Sequence, residues 1–374
     1  MKILIINDHM KKVGGTETFI YTLKKILEKK GHVVELLGST SGEDFASLFS
    51  RWYSKKWYKK TIAKIKEFQP DVVHINNCTR ILSPSVIRAS LKCKIPIVIT
   101  FHDFHFICPK IWGIKNNGRP CKDWFGVNCI PNNCKGPKKS KFYYPIYLLK
   151  LLRMVLHRKI IKNPNLHVFS PSAILAESIE KSLGIKVGVI NNGVDIPSMN
   201  TSYKKEILFI GRISENKGLG TIAGILNNIK KYKVNILGVG EQLEEIRSKY
   251  KNLNYLGFGK PGPYYKTASI GVVPSVWMEN FSYSVLEAMS YGLCLIASDR
   301  GGIPEQVINM ETGLLFNPGD KKDFKKKLDY LLNNPEEIKR MGKNARNQAK
   351  KNWDWNNIVK QYEKIYFKIT KTKL

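Results

Sequence analysis

Pro274-Ser275-Val276-Trp277-Met278-Glu279-Asn280-Phe281-Ser282-Tyr283-Ser284-Val285-Leu286-Glu287-Ala288-Met289, followed by Gly301-Gly302-Ile303-Pro304-Glu305, is the stretch from which the fold of this chain is read. Phe281, Val285, Leu286 and Met289 recur with the period of a buried helix, so Glu279 falls on the loop before that helix and Glu287 on the helix itself. The apolar run at 270–273, just upstream, reads as a buried strand. A strand that turns into a helix places polar groups at the helix N-terminus, on the side where α/β sheets hold ligands. Seven residues separate the two glutamates. That is two helical turns, and both carboxylates are expected to reach one ligand from successive levels.

A bare pair of glutamates at this spacing is common on solvated helices. Set within Pro-Ser, Glu-Asn-Phe, Leu-Glu-Ala-Met and Gly-Gly-Ile-Pro-Glu, it resembles the Glu-x7-Glu region of the family 4 glycosyltransferases (glycosyl transferases group 1), retaining enzymes of the GT-B fold. The resemblance extends over almost the whole chain. It implies an α/β protein of two Rossmann-like domains whose parallel sheets face each other across a cleft. Residues 1–198 would form the acceptor-side domain and 199–355 the nucleotide-sugar-binding domain, with a terminal helix at about 356–374 returning to the first.

At 374 residues and 43% hydrophobic, the chain has room for a full core and favours two domains over one. No apolar run approaches the roughly 20 residues that span a bilayer, and the apolar start is too short for a signal peptide. The expectation is a cytoplasmic protein, with peripheral attachment to the inner face of the membrane as an option. Seven cysteines, an odd number, fit reduced thiols better than a disulfide framework. The net charge of +32 suits nucleic acid or an anionic membrane. Its lysines are spread over nearly every helix with modest clustering, most of the excess lying in the first half, and no nucleic-acid partner is expected.

Residues 2–7 read as a central parallel strand ended by Asn7-Asp8. Gly14-Gly15-Thr16-Glu17 then opens a helix patterned by Phe19, Ile20, Leu23, Ile26 and Leu27. Gly15 lets a ligand approach the backbone and Thr16 can cap the helix, although an ordinary tight turn would look the same. The absence of G-x-G-x-x-G argues against nicotinamide or flavin chemistry. Strands follow at 33–37, 71–75 and 96–100; the last delivers Phe101-His102-Asp103-Phe104-His105 to its carboxyl end, the ligand side of a doubly wound sheet. A histidine there can contact a sugar or phosphate, and the family resemblance makes His102 the residue that faces the donor sugar. Asp103 and His105 either orient it or bind acceptor.

Residues 51–60 interleave Trp52, Tyr53, Trp57 and Tyr58 with basic side chains, which suits anionic lipid head groups or a helix with its aromatics turned inward. The loop-like stretch 107–139 holds Cys108, Cys121, Cys129 and Cys134 at spacings that match no standard zinc site; a four-thiolate site and separate thiols both stay open. Residues 138–163 describe a basic amphipathic helix, to be packed in the core or laid on an anionic membrane carrying a lipid-linked acceptor.

Beyond Asn191-Asn192-Gly193-Val194-Asp195, which resembles the family's Asn-Gly-Val-Asp turn, residues 197–204 form the expected linker. A strand at 207–210 runs into Gly211-Arg212-Ile213-Ser214-Glu215-Asn216-Lys217-Gly218. The Arg212 fork, the Lys217 point charge and the dipole of the following helix make a diphosphate site. In Gly238-Val239-Gly240, Val239 stands where the family usually has an acidic residue, so a polar contact is lost. Further strands are read at 234–237, 255–258, 294–297 and 313–316, with the Gly301-Gly302 amides able to approach phosphate.

No Asp-x-Asp motif follows a strand, so neither metal nor other cofactor is expected, and protein cations and amides must neutralise the leaving diphosphate. The resemblance implies retaining transfer of a hexose from a UDP- or GDP-sugar to a glycan or lipid-linked acceptor, in surface polysaccharide or lipid-linked glycan synthesis. His102 and Glu279 are assigned to catalysis. Gly15, Arg212, Lys217, Glu279, Asn280, Phe281, Ser282 and Glu287 are assigned to the donor, Glu287 taking the ribose hydroxyls and Glu279 those of the sugar. Two rivals stand beside this reading. A nucleotide-sugar epimerase of the same fold would need more acid/base groups, and a basic nucleic-acid-binding protein would account for the charge but not for these residues.

Overall fold

Short runs of aliphatic residues, such as Ile97–Thr100 and Ile270–Val273, become strands buried on both faces, as parallel sheets require. The computed structural model describes residues 1–10, 14–40, 52–79, 81–121, 129, 134, 152, 154–198 and 202–371. The chain divides into two units, Met1–Asn191 with Asn356–Leu374, and Asn192–Trp355. The division falls at 191/192, upstream of the linker read from composition.

The first unit contains β1 (Lys2–His9), β2 (Val33–Ser39), β3 (Val72–Ile75), β4 (Ile97–Thr100), β5 (Leu166–Ser170) and β6 (Gly188–Val189). They form a parallel sheet in the order β2-β1-β3-β4-β5-β6. The order reverses at β1, so the loops after β1, β3 and β4 share one crevice end of the sheet. The terminal helix Trp355–Lys371 contributes Tyr362 and Tyr366, both fully buried. Tyr366 Oη lies 2.7 Å from His74 Nδ1, His74 Nε2 lies 2.8 Å from Thr100 Oγ1, and Thr100 Oγ1 lies 3.3 Å from Tyr362 Oη. This ladder ties the helix to β3 and β4.

In the basic stretch at 51–60, the helix Lys55–Phe68 is capped by Ser54, and Trp57 is only 4% exposed, with Lys60 Nζ 4.9 Å above its ring. At Trp57, therefore, the aromatic side chain is packed inward and its lysine neighbours cover it. Of the expected basic amphipathic helix, 138–151 and 153 lie outside the described residues. Residues 154–161 are helical, with Met154 and Ile161 buried and Val155 and Leu156 exposed. Among the described residues, no helix is long and apolar enough to cross a membrane.

The second unit contains β7 (Glu206–Ile210), β8 (Lys233–Leu237), β9 (Asn254–Gly257), β10 (Ile270–Val273), β11 (Cys294–Ser298) and β12 (Gly313–Phe316) in the order β9-β8-β7-β10-β11-β12. This is the Rossmann order, and its switch point lies between β7 and β10. Alternating side chains of β7 feed separate cores on the two faces of the sheet. Ile207 and Phe209 pack with Val272, Ile296 and Phe324, whereas Leu208 packs with Leu286, Leu295 and Trp353.

Candidate active site

Pairing of Ile207 with Ile270 and of Leu208 with Gly271 sets β7 beside β10, so the loops leaving their carboxyl ends meet. Val276 N donates to Asn216 O at 3.0 Å across them. Gly218, at φ +74, comes so near that a Cβ there would stand 2.0 Å from Pro274 O; only glycine allows this approach. The result is an ion pair, with Lys217 Nζ 2.6 Å from Glu279 Oε1. Ser275 Oγ donates to the same oxygen at 2.7 Å, and Lys217 also sits 5.2 Å over the Trp277 ring. Glu279 is 5% exposed. Burial alone would raise its pKa, but the Lys217 charge and the hydrogen bonds from Lys217 and Ser275 help to outweigh that and hold it below the usual carboxylate range.

Gly302 N donates to Glu279 O at 2.8 Å. The Gly302 amide read from sequence as a phosphate contact is therefore engaged in fixing the glutamate's backbone. Gly301, at φ +61, packs so closely that a Cβ would lie 2.2 Å from Glu279 O.

The helix Tyr283–Tyr291 starts at the N-cap Ser282, with Glu279 before it and Glu287 on it. Ser282 N donates to Gln306 Oε1 at 2.8 Å and Gln306 Nε2 returns to Ser282 O at 3.0 Å, so this amide also has a protein partner. Phe281 is a core side chain, edge-on to Trp353 at 5.6 Å, and Asn280 beside it is half-buried. Glu287 Oε2 accepts from Tyr265 Oη at 3.1 Å. Burial, reinforced by the charge of Asp195, raises the Glu287 pKa against that hydrogen bond. The two glutamates thus have different partners, one a cation and the other a phenol beside a second carboxylate. Arg212 is exposed and has no ion-pair partner among the described residues. Its loop is held by Gly211 N to Leu237 O at 3.1 Å and Ile213 N to Val239 O at 2.9 Å.

In the first unit, Asn7 Oδ1 accepts from Asn77 N at 3.1 Å while Asn7 Nδ2 reaches Glu17 Oε1 at 3.3 Å, and Asn77 Nδ2 reaches Thr16 Oγ1 at 3.4 Å. Asp8 Oδ1 accepts from the amides of Ile81 and Leu82. Gly15 is the first residue of the helix Gly15–Lys29; Gly14 is its N-cap and has no side-chain cap, so Thr16 does not serve as one. His102 Nε2 lies 2.7 Å from Asn76 Oδ1, and its ring centroid is 5.0 Å from that of Phe19. Burial pulls the His102 pKa down to about 4, against the opposing charge of Asp103, so the ring is neutral near pH 7. Asp103 Oδ1 accepts the His105 amide at 2.9 Å and lies 2.6 Å from His105 Nδ1; these two side chains engage each other.

Sequence reasoning missed Asn76 and Asn77, whose only signal was two polar residues directly after a buried strand. Cys129 is buried and Cys108, Cys121 and Cys134 are half-buried, and burial raises the Cys134 thiol pKa. Among the described residues, no group of three or more histidine, cysteine, aspartate or glutamate side chains is placed to hold a metal ion.

Two Rossmann-like units, the second with a cationic loop and a buried glutamate at its switch point, define a protein of the GT-B class. Solved structures share that fold. Sucrose-phosphate synthase from Thermosynechococcus elongatus superposes with a TM-score of 0.74 at 17% identity, covering 99% of each chain. Anabaena Alr3699/HepE in complex with UDP does so at 0.67 and 16%, covering 98% of this chain and 99% of that one. The family profiles Glycosyltransferase Family 4 and Glycosyl transferases group 1 match residues 13–197 and 198–348. The chain belongs to the family 4 (group 1) glycosyltransferases.

Among its relatives is the GalNAc-alpha-(1->4)-GalNAc-alpha-(1->3)-diNAcBac-PP-undecaprenol alpha-1,4-N-acetyl-D-galactosaminyltransferase of Campylobacter jejuni, 26% identical over 371 residues and 90% of each chain. The sulfoquinovosyl transferase SQD2 of Arabidopsis thaliana is 29% identical over 188 residues, 44% of this chain and 36% of that one. Spore coat protein SA of Bacillus subtilis is 28% identical over 185 residues, again 44% of this chain and 49% of that one. The match thus spans half or less of the length of these last two relatives.

Proposed function

We propose that the chain is a retaining glycosyltransferase that moves a hexose from a UDP- or GDP-sugar to an acceptor hydroxyl of a lipid-linked glycan or surface polysaccharide, without metal or other cofactor. The observation that carries this reading is the Lys217–Glu279 pair at the β7/β10 switch point, with the exposed Arg212 on the same loop. Arg212 grips diphosphate oxygens bidentately, Lys217 adds charge, and Glu287 accepts from the ribose hydroxyls. Glu279, held ionised, accepts from hydroxyls of the sugar, with Asn280, Phe281, Ser282 and Gly15 as further donor contacts. Asp103 and His105 serve the acceptor.

In the proposed step the bond from the anomeric carbon to the leaving phosphate oxygen breaks while the acceptor oxygen bonds to the same face. The acceptor proton passes to that phosphate oxygen, and His102 supports the positive charge developing on the sugar. The UDP bound by Alr3699/HepE and the undecaprenol-linked acceptor named for the Campylobacter relative support the choice of substrates. The basic first half fits work at the inner face of an anionic membrane, by charge alone. Incubation with labelled UDP- and GDP-hexoses and undecaprenyl-linked oligosaccharide tests the reading. An extended glycan with the donor's anomeric configuration is expected, and an inverted product or none would overturn it.

A further inference from the structure

Asn76 follows β3 and is 0% exposed. Its amide N donates to Ile6 O at 2.9 Å and its Oδ1 faces His102 Nε2, yet its Nδ2 has no hydrogen-bond partner among the described residues. A buried amide donor without a partner destabilises a fold, and a shorter or apolar side chain would remove the penalty. What asparagine supplies in return is the acceptor for His102. The surroundings of the ring are equally fixed. Phe19, 0% exposed, lies 5.0 Å from His102 on one side and 5.7 Å from Tyr362 on another. His74 on β3 and Thr100 on β4, two residues before Asn76 and His102 respectively, are locked to Tyr366 and Tyr362 by the buried ladder.

We infer that Asn76 is a positioning residue: by accepting the Nε2 proton it holds His102 as the tautomer whose lone pair is on Nδ1, with Phe19 as the floor that sets the plane of the ring. Which nitrogen keeps its lone pair decides what the ring can do. A lone pair can stabilise positive charge on a sugar, whereas an N–H in the same place would oppose it. The catalytic consequence rests on the glycosyl-transfer reading above; the tautomer does not.

Long-range proton–nitrogen NMR of the full chain at pH 8, with the His102 signals assigned by their loss in His102→Ala, tests the tautomer directly. The wild type is expected to carry its proton on Nε2. Asn76→Ala is expected to show exchange between tautomers, and Asn76→Asp, which keeps an acceptor oxygen, to hold the proton on Nε2. With an active donor, Asn76→Ala is expected to lower kcat roughly 10- to 100-fold with little change in donor KM, the split of a group acting in the transition state. A wild-type proton on Nδ1, or an Asn76→Ala variant whose His102 signals and kcat match wild type, would overturn the assignment. If no sugar nucleotide is turned over by the wild type, the transfer reading fails while the spectra still decide the tautomer.

Discussion

Lys217 and Glu279, separated by 62 residues in sequence, meet through a 2.6 Å contact between Nζ and Oε1. The glutamate is nearly enclosed and the lysine is partly open to solvent, so the pair presents a cation outward from a fixed anionic base. A site that must hold a diphosphate needs such a cation in place before the ligand arrives, because reorganising charges during the reaction would raise the barrier.

Replacing Lys217 by methionine leaves Glu279 buried with its main counter-charge gone. Because Lys217 is partly exposed, the loss is discounted below that of breaking a fully buried pair, to about 2 kcal/mol near neutral pH. The Glu279 pKa lies below the unfolded value, so its contribution is present above the ordinary carboxylate range and is lost as pH falls through the lower folded value. Urea unfolding from pH 3 to 8 should show the wild type and Lys217→Met converging at the acid end. A constant gap across that range would assign the effect to packing.

Glu287 behaves in the opposite sense. Its raised pKa means that the charged form is disfavoured in the folded state, and stability grows as pH falls through that pKa. Glu287→Gln keeps an acceptor for Tyr265 and removes the charge beside Asp195. Its melting temperature at pH 7 is expected to equal or exceed that of wild type, while nucleotide affinity falls about 10-fold or more through loss of a charged acceptor. Calorimetric titration beside a melting curve checks both halves.

His74 is fully buried and its pKa is pulled down to about 3 from 6.5, by burial first and by His102 second. The folded state therefore binds fewer protons than the unfolded chain between those values, and stability drops as pH falls below 6.5, by up to roughly 1.4 kcal/mol per pH unit from this one group. Tyr366→Phe leaves His74 Nδ1 without its 2.7 Å partner and should cost about 1–3 kcal/mol at pH 7. Unfolding of His74→Asn as a function of pH should show a shallower acid slope than wild type.

Gly301→Ala forces a Cβ to within 2.2 Å of Glu279 O at φ +61. The left-handed backbone alone costs about 1–2 kcal/mol, and relief of the clash must displace Glu279. Loss of donor affinity well beyond that of an exposed glycine substitution such as Gly319→Ala is expected, again by calorimetric titration.

Much of the second unit was legible because a strand buried on both faces announces itself as an apolar run, and β7, β8, β10, β11 and β12 do so. The family resemblance named Arg212, Lys217 and both glutamates. Their pairing was not legible. It depends on β7 and β10 lying side by side, a relation between strands distant in sequence, and the spacing of Glu279 and Glu287 does not show that one pairs with Lys217 and the other with Tyr265. The Gly301-Gly302 amides were read as open to ligand because sequence shows donors but not the Glu279 carbonyl that accepts from Gly302, just as it does not show the Gln306 side chain that accepts from the amide of Ser282. Asn76 escaped notice for the same reason: its importance comes from His102, which reaches it from the neighbouring strand.

Thermal shift with UDP-, GDP- and ADP-sugars on wild type and the Arg212→Ala/Lys217→Ala double variant tests the central claim most directly, since a ligand bound to the folded state raises its stability by mass action. One nucleotide class is expected to raise the wild-type melting temperature and to leave the double variant unmoved. Equal stabilisation of both proteins, or of neither, would contradict a diphosphate site at Arg212 and Lys217.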